Sequence, residues 1–227
     1  QETALVIEKG LTVGGKTLKE HLEATNHAEA FGWILTLIEK KSLSLTEEDI
    51  LYIHSLILKG IDEANAGSYR NVSVRISGSR VVLPNSYKVP ELMTEFSTWL
   101  QMAKNIHPVE RAAEAHYRLV TIHPFIDGNG RTARLLMNLL LMRAGYPPAI
   151  IRKRDRLAYI TSLESAQLGG SKEDYLKLIS KAVDRSLDIY LKALRREEND
   201  INLEKEEGIF LKIGDLAKQS NETVSTL

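Results

Sequence analysis

An imidazole, a carboxylate, an amide set between two glycines, and two arginines fall together in the run His123-Pro124-Phe125-Ile126-Asp127-Gly128-Asn129-Gly130-Arg131-Thr132-Ala133-Arg134. A Gly128-Asn129-Gly130 turn lets backbone N–H groups converge on an anion, and a helix starting beyond it adds its positive dipole end. Arg131 and Arg134, three apart, share a helical face and can fork onto phosphate oxygens. Asp127 can hold a hard cation such as magnesium beside those phosphates. His123 is the one group in the run whose proton comes and goes near neutral pH, which suits a general base. Structural needs explain parts of this set, since Asp127 can cap the following helix and a lone histidine is usually satisfied by backbone. Two arginines in a first helical turn, however, oppose the helix dipole unless an anion is bound. The residues alone point to a nucleotide, a metal and a base.

The elements that must position these groups read as helices. Leu18 to Lys40 carries an apolar face through Leu22, Ala30, Trp33 and Leu37. Thr46 before Glu47-Glu48-Asp49 is an N-cap with an acidic first turn, opening a helix that runs to about Gly60. Pro90 and Pro108 each fit the first turn of a further helix, the second ending near Ile122. Arg131 to Ala144 is apolar nearly all round, which predicts a central helix surrounded by others. Two more come after it at about 156–168 and 172–196. The exception is Asn71 to Pro84, where valines and isoleucine flank Ser77-Gly78-Ser79 and predict a short β-hairpin. Segment 197–208 is charged and reads as a linker, and 209–227 resumes a helical pattern.

At 227 residues the chain is long enough for one large domain, with or without a small appendage. Its 30 Lys and Arg balance 30 Asp and Glu, which argues against a polyanion-coating protein. It has no cysteine, so thiolate metal sites and disulfides are excluded and a reducing compartment, the cytoplasm, fits. The longest apolar stretch, Leu135 to Met142, is broken by Asn138 and falls short of the ~20 residues that span a bilayer.

The run His123 to Arg134 resembles the signature of the Fic (filamentation induced by cAMP) family, His-Pro-Phe-x-x-Gly-Asn-Gly-Arg-x-x-Arg, at every fixed position. Asn26-His27, Gly67-Ser68-Tyr69-Arg70, Ala115-His116-Tyr117-Arg118, the hairpin, and Gly145-Tyr146-Pro147-Pro148 are similar to family features, so the resemblance covers roughly 15–194. It implies an all-α Fic fold with a short β-hairpin flap, occupying 1–196, and transfer of AMP from ATP to a Tyr, Ser or Thr hydroxyl of a target protein or of the chain itself. On that resemblance His123 deprotonates the hydroxyl, Pro124 and Phe125 lock the loop, and Asp127 holds Mg2+. Gly128, Asn129 and Gly130 form the anion nest, with Asn129 also on the α-phosphate, while Arg131 takes the β-phosphate and Arg134 the γ-phosphate. The flap, with Ile76, Ser77, Gly78, Val82 and Leu83, pairs with the target's backbone as an added strand. A phosphate-transferring subgroup has lysine where this chain has Gly130, so the glycine sides with AMP transfer.

Many relatives carry an inhibitory helix, Ser/Thr-x-x-x-Glu-Gly/Asn, whose glutamate pairs with the second arginine of the signature. No full match occurs in the sequence, yet Gln1 to Glu8 and Gly14 to Leu18 resemble the segment directly after such a helix, so the expectation is that it sits upstream. With that glutamate in place, the same site is expected to remove AMP as well. Segment 209–227 resembles the first helix of a winged helix-turn-helix. This supports a rival reading as a nucleotide-sensing DNA-binding regulator, and a toxin of a toxin–antitoxin pair is a third. An apolar helix face serves a core or a homodimer equally well. His27, His54 and His116 read as structural, and His21 and His107 as surface. Tyr159 and Leu163 either line an adenine pocket or pack in the core. Arg75, Arg80 and Tyr87 are candidates for setting target choice.

Overall fold

Capping chemistry decides where the first helices begin. The computed structural model describes residues 15–39 and 44–195; the segments 1–14, 197–208 and 209–227 lie outside the described residues. Helix α1 (Leu18–Glu39) starts at a reciprocal pair, with Thr17 N–H donating to Glu20 Oε2 at 2.8 Å and Glu20 N–H to Thr17 Oγ1 at 3.2 Å. Helix α2 (Glu47–Leu58) starts at the same device, in which Thr46 N–H donates to Asp49 Oδ2 at 2.8 Å and Asp49 N–H to Thr46 Oγ1 at 3.2 Å. Each such box satisfies two backbone donors that a helix start leaves orphaned. Prolines begin the next two, α3 (Val89–Met102) and α4 (Pro108–Ile122), because a missing N–H costs nothing in a first turn. Helices α5 (Asn129–Arg143), α6 (Arg156–Gln167) and α7 (residues 173–184) complete the order.

The expected central helix is α5. It packs against α1, α2 and α4, and Leu135, Leu136, Met137, Leu139, Leu140 and Leu141 are buried on several of its sides. Side-chain amides and guanidines close the helix ends around it. Asn26 of α1 donates to Ile57 O and Lys59 O at 3.2 and 2.6 Å, capping the C-terminus of α2, and Arg143 of α5 donates to Leu37 O near the end of α1 at 3.0 Å. The chain divides into two units, Gln1–Asp184 and Arg185–Leu227. The helices above belong to the first, and residues 185–195 of the second are also helical. No helix among the described residues is long and apolar enough to cross a membrane.

The expected hairpin is not paired. No strand occurs among the described residues, and 71–84 form an extended excursion around a turn at 77–78, closed by Ser79 N–H to Ile76 O at 3.1 Å. Polar groups that a ladder would join are taken by side chains instead. Arg70 takes the carbonyls of Val72 and Pro84, Glu164 takes the Arg80 N–H, and Ser79 Oγ takes the Val81 N–H.

Candidate active site

Helix α4 ends at His123, and it ends abruptly. His123 lies in the left-handed region at φ 52° and ψ 58°, the one non-glycine residue with positive φ among the described residues. That conformation costs an L-residue about 1–2 kcal/mol, so it persists only where surroundings hold it. Arg70 does so, with Nε donating to His123 O at 2.7 Å and its backbone N–H to Pro124 O at 2.9 Å. The His123 ring is fixed as well, by Nδ1 bonding to Val120 O at 3.2 Å. A carbonyl only accepts, so Nδ1 carries the proton and Nε2 keeps its lone pair. Burial pushes this imidazole below its ordinary value; the Val120 bond opposes that, the Arg70 charge adds to it, and Asp127 opposes it again. At neutral pH the ring is neutral, with Nε2 as an acceptor, as a general base must be.

The loop after His123 is closed on itself. Phe125 is fully buried and its ring stacks on His54 with centroids 3.6 Å apart and planes 4° apart. The Asn129 amide grips the Phe125 backbone from both sides, accepting from its N–H at 2.9 Å and donating to its C=O at 2.8 Å. His54 accepts from Gly67 N–H at Nδ1 (3.0 Å), so its Nε2–H donates to Asp127 O at 3.0 Å. Burial holds the His54 pKa down to about 4, against the pull of that Asp127 bond, which keeps the ring neutral in this tautomer. Gly128 comes next at φ +78°, and a Cβ there would meet the His54 ring at 3.2 Å. Glycine answers both demands, the positive φ and the close approach.

Helix α5 begins just beyond, with the first-turn amides of Asn129, Gly130 and Arg131 lacking intrahelical acceptors. Asp127 is half exposed beside them. Its Oδ1 accepts from Gly128 N–H at 2.6 Å, its Oδ2 from Arg131 Nη2 at 3.2 Å, and Lys19 Nζ lies 3.8 Å away. Burial would raise this carboxyl, but the Gly128 bond and the Arg131 and Lys19 charges outweigh it and hold it below the usual value. Arg131 also faces Glu23 Oε1 at 3.3 Å, although Nη1 has no hydrogen-bond acceptor. Arg134, in contrast, has no carboxylate within ion-pair distance among the described residues. Its Nη1 lies 3.2 Å from where a Cβ on Gly130 would sit, and its charge acts on His27, His116 and Tyr159. Among the described residues no three His, Asp or Glu gather as a metal cluster. An ionised, half-exposed Asp127 alone fits magnesium, which takes one or two carboxylates plus substrate phosphates and water.

Beneath Arg134 runs a buried chain of polar groups. Tyr175 OH donates to Ala113 O at 2.9 Å and so accepts from His116 Nδ1–H at 2.9 Å; His116 Nε2 then accepts from Tyr159 OH at 2.7 Å. Burial pushes His116 down to about 3, with the Arg134 charge adding to it, so the chain is uncharged.

The Fic/DOC family model matches residues 44–141. A solved Fic-domain-containing signaling protein from Bacteroides thetaiotaomicron is 31% identical with TM-score 0.75, over 86% of this chain and 80% of that one. The chain belongs to the Fic/DOC family. Its Fic relatives include Fic-1 from C. elegans, 35% identical with TM-score 0.79 over 86% of this chain and 58% of that one. Protein adenylyltransferase Fic of Culex quinquefasciatus is 38% identical over 94% of this chain and 43% of the relative. The chain spans less than half the length of the curated relatives it matches.

Within this Fic fold His123, Phe125, Asp127, Gly128, Asn129 and Arg131 meet at the junction of α4 and α5. The Asn129 side chain is committed to the Phe125 backbone, so its part in the expected nest falls to its main chain. At the flap, Ser77 and Gly78 form the turn, Ile76 accepts its closing bond, Val82 is 91% exposed and Leu83 is half-buried. Sequence reasoning passes over Lys19, Glu23 and Glu164, and it marks Arg70 as part of a family-like segment without giving it a role. It leaves Tyr159 between two readings, and the structure puts its ring in the core with its hydroxyl on His116. His54 and His116 are structural, as read, and His107 is exposed. His27 is exposed rather than buried in a core, on the side of α1 that faces Arg134 and Arg131.

Proposed function

We propose that the chain is an ATP- and magnesium-dependent protein adenylyltransferase. The observation that carries this reading is a neutral His123 with Nε2 open, set beside a helix N-terminus and an Arg134 that no carboxylate neutralises among the described residues. The target's Tyr, Ser or Thr hydroxyl gives its proton to His123 Nε2 while its oxygen bonds to the α-phosphorus. The bond from that phosphorus to the bridging oxygen of the β-phosphate breaks, and pyrophosphate leaves. First-turn amides of α5 receive charge on the phosphate oxygens, Arg134 takes the γ-phosphate, and Arg131 takes the β-phosphate once Glu23 gives way. Asp127, held by Gly128 and Arg131, would hold the magnesium, which would supply neutralisation of phosphate charge. The excursion 71–84 presents an extended edge for the target backbone, and its exposed Val82 and the lack of a ladder within it support that use. Positioning and charge neutralisation supply most of such catalysis.

The test is transfer of label from α-radiolabelled ATP to proteins of a lysate and to the chain itself. His123→Ala is expected to abolish transfer while leaving ATP binding within about twofold, because the ring meets the acceptor rather than the phosphates. Transfer that persists at the wild-type rate sinks the assigned mechanism.

A further inference from the structure

Arg70 is 2% exposed and has no carboxylate partner among the described residues. A buried guanidinium without a counter-ion must place its donors on neutral acceptors, and Arg70 places three of them on carbonyls from three parts of the chain. Nε donates to His123 O at 2.7 Å, Nη1 to Val72 O at 3.1 Å and Nη2 to Pro84 O at 2.6 Å. Val72 and Pro84 are the two feet of the flap, and His123 is the residue held in the left-handed region. One rigid fork therefore ties both feet of the flap to the backbone of the general base. Its own position is fixed from below, by Gly67 N–H on His54, by Tyr69 OH on Glu47 Oε1 at 2.6 Å, and by its backbone N–H on Pro124 O.

The far end of the flap is tied separately. Glu164 Oε1 on α6 accepts from Ser79 Oγ at 3.1 Å and from Arg80 N–H at 2.8 Å. Helix α6 is in turn joined to α4 by Tyr117 OH on Ala166 O at 3.2 Å and Gln167 Nε2 on Thr121 Oγ1 at 3.1 Å. Since 71–84 have no ladder of their own, these side chains fix where the flap lies.

We propose that Arg70 is a positioning residue that registers the flap against His123, so that a target backbone laid on the flap presents its hydroxyl at Nε2, with Glu164 holding the flap's outer end. The proposal rests on the AMP-transfer reading above. Lysine cannot replace this arginine: an ammonium is a point donor and cannot span three carbonyls in fixed directions.

The experiment uses the whole chain carrying Arg70→Lys, with Glu164→Ala as a second variant whose half-exposed side chain can be lost without opening the core. ATP binding is measured by calorimetry, label transfer to lysate proteins by radioactivity, and flap order by hydrogen exchange of residues 71–84. Arg70→Lys is expected to bind ATP within about twofold of wild type, to exchange its flap amides faster, and to lose transfer by about tenfold to a hundredfold, the scale of an ångström of misplacement. The loss should fall on kcat/KM for the acceptor and not on KM for ATP. Glu164→Ala should show the same pattern more weakly. Transfer and exchange both at wild-type rates in these variants would overturn the proposal, and so would a parallel fall in ATP affinity, which would make Arg70 part of the nucleotide site. Should Arg70→Lys not fold, unchanged transfer in Glu164→Ala overturns it equally. A wild-type chain that transfers no AMP refutes the function instead; the registration is then judged on exchange alone, which must still quicken in Arg70→Lys.

Discussion

Replacing Asn129 with alanine separates two roles that the sequence leaves superposed. If the side chain is a lock, as its bonds of 2.9 and 2.8 Å to the Phe125 N–H and C=O indicate, alanine orphans two backbone groups in a region where Phe125 is fully buried and Asn129 is 3% exposed. Each orphaned group costs about 1–3 kcal/mol, so the fold loses roughly 2–6 kcal/mol. For a chain of this size about 2–4 °C of melting temperature accompanies each kcal/mol, giving a fall of roughly 4–24 °C. Arg134→Ala should do the opposite, weakening ATP binding with a smaller fall in melting temperature, because Arg134 has no ion pair to lose among the described residues and only its bond to the Tyr159 hydroxyl goes. Differential scanning calorimetry and nucleotide titration of the two variants make the comparison. An Asn129→Ala chain that melts with wild type but binds ATP many-fold more weakly would refute the lock and return the side chain to the phosphate.

Three further outcomes are expected from the same geometry. His54 and His116 are held neutral at about 4 and about 3, below the ordinary 6.5. The unfolded chain therefore binds more protons below pH 6.5, and stability falls as pH drops from 6.5 toward 4, by about 2–3 kcal/mol for each ring at pH 4.5. Melts at pH 7 and 4.5 should show this, with a smaller loss in His54→Gln; an equal loss in that variant contradicts the assignment. Glu23→Gln should tighten ATP binding by about twofold to fivefold at low salt, since Arg131 then has one carboxylate fewer to leave, with the gain shrinking as salt rises. An unchanged affinity removes Glu23 from the nucleotide site. Gly130→Ala should raise helix stability by up to about 1 kcal/mol yet lower AMP transfer, because the new methyl lies 3.2 Å from Arg134 Nη1 and the guanidinium must shift. Stability and activity rising together would show that the Arg134 position is unimportant.

The helices are legible in the sequence because their signals are local. Thr46 with Asp49, and Pro108 at a first turn, each carry their boundary within a few residues. The flap is not, since its valines alternate as in a hairpin while the acceptors and donors that would pair them are captured by Arg70 and Glu164. Arg70 is visible only as part of a family-like segment, and its role is not, because its partners are backbone carbonyls, which every residue has. The same holds for Asn129: an amide between two glycines suggests an anion nest, and nothing in the order of residues shows that it turns back to Phe125. His123, Asp127 and the two arginines are legible because their types are costly to place together without a ligand.

Helix α1 sets three side chains, Lys19, Glu23 and His27, on successive turns opposite Asp127, Arg131 and Arg134, with Lys19 and Glu23 within 3.8 and 3.3 Å of their counterparts. It lies wholly outside the matched family segment 44–141. The signature is thus read against a second row of polar groups that it does not contain, two of them charged and the third an imidazole that desolvation and the arginines hold neutral. On the function proposed above, two proteins with the same signature and different residues on this row are expected to bind nucleotide with different strength. Tuning by evolution or by design can work on α1 and leave every signature residue untouched.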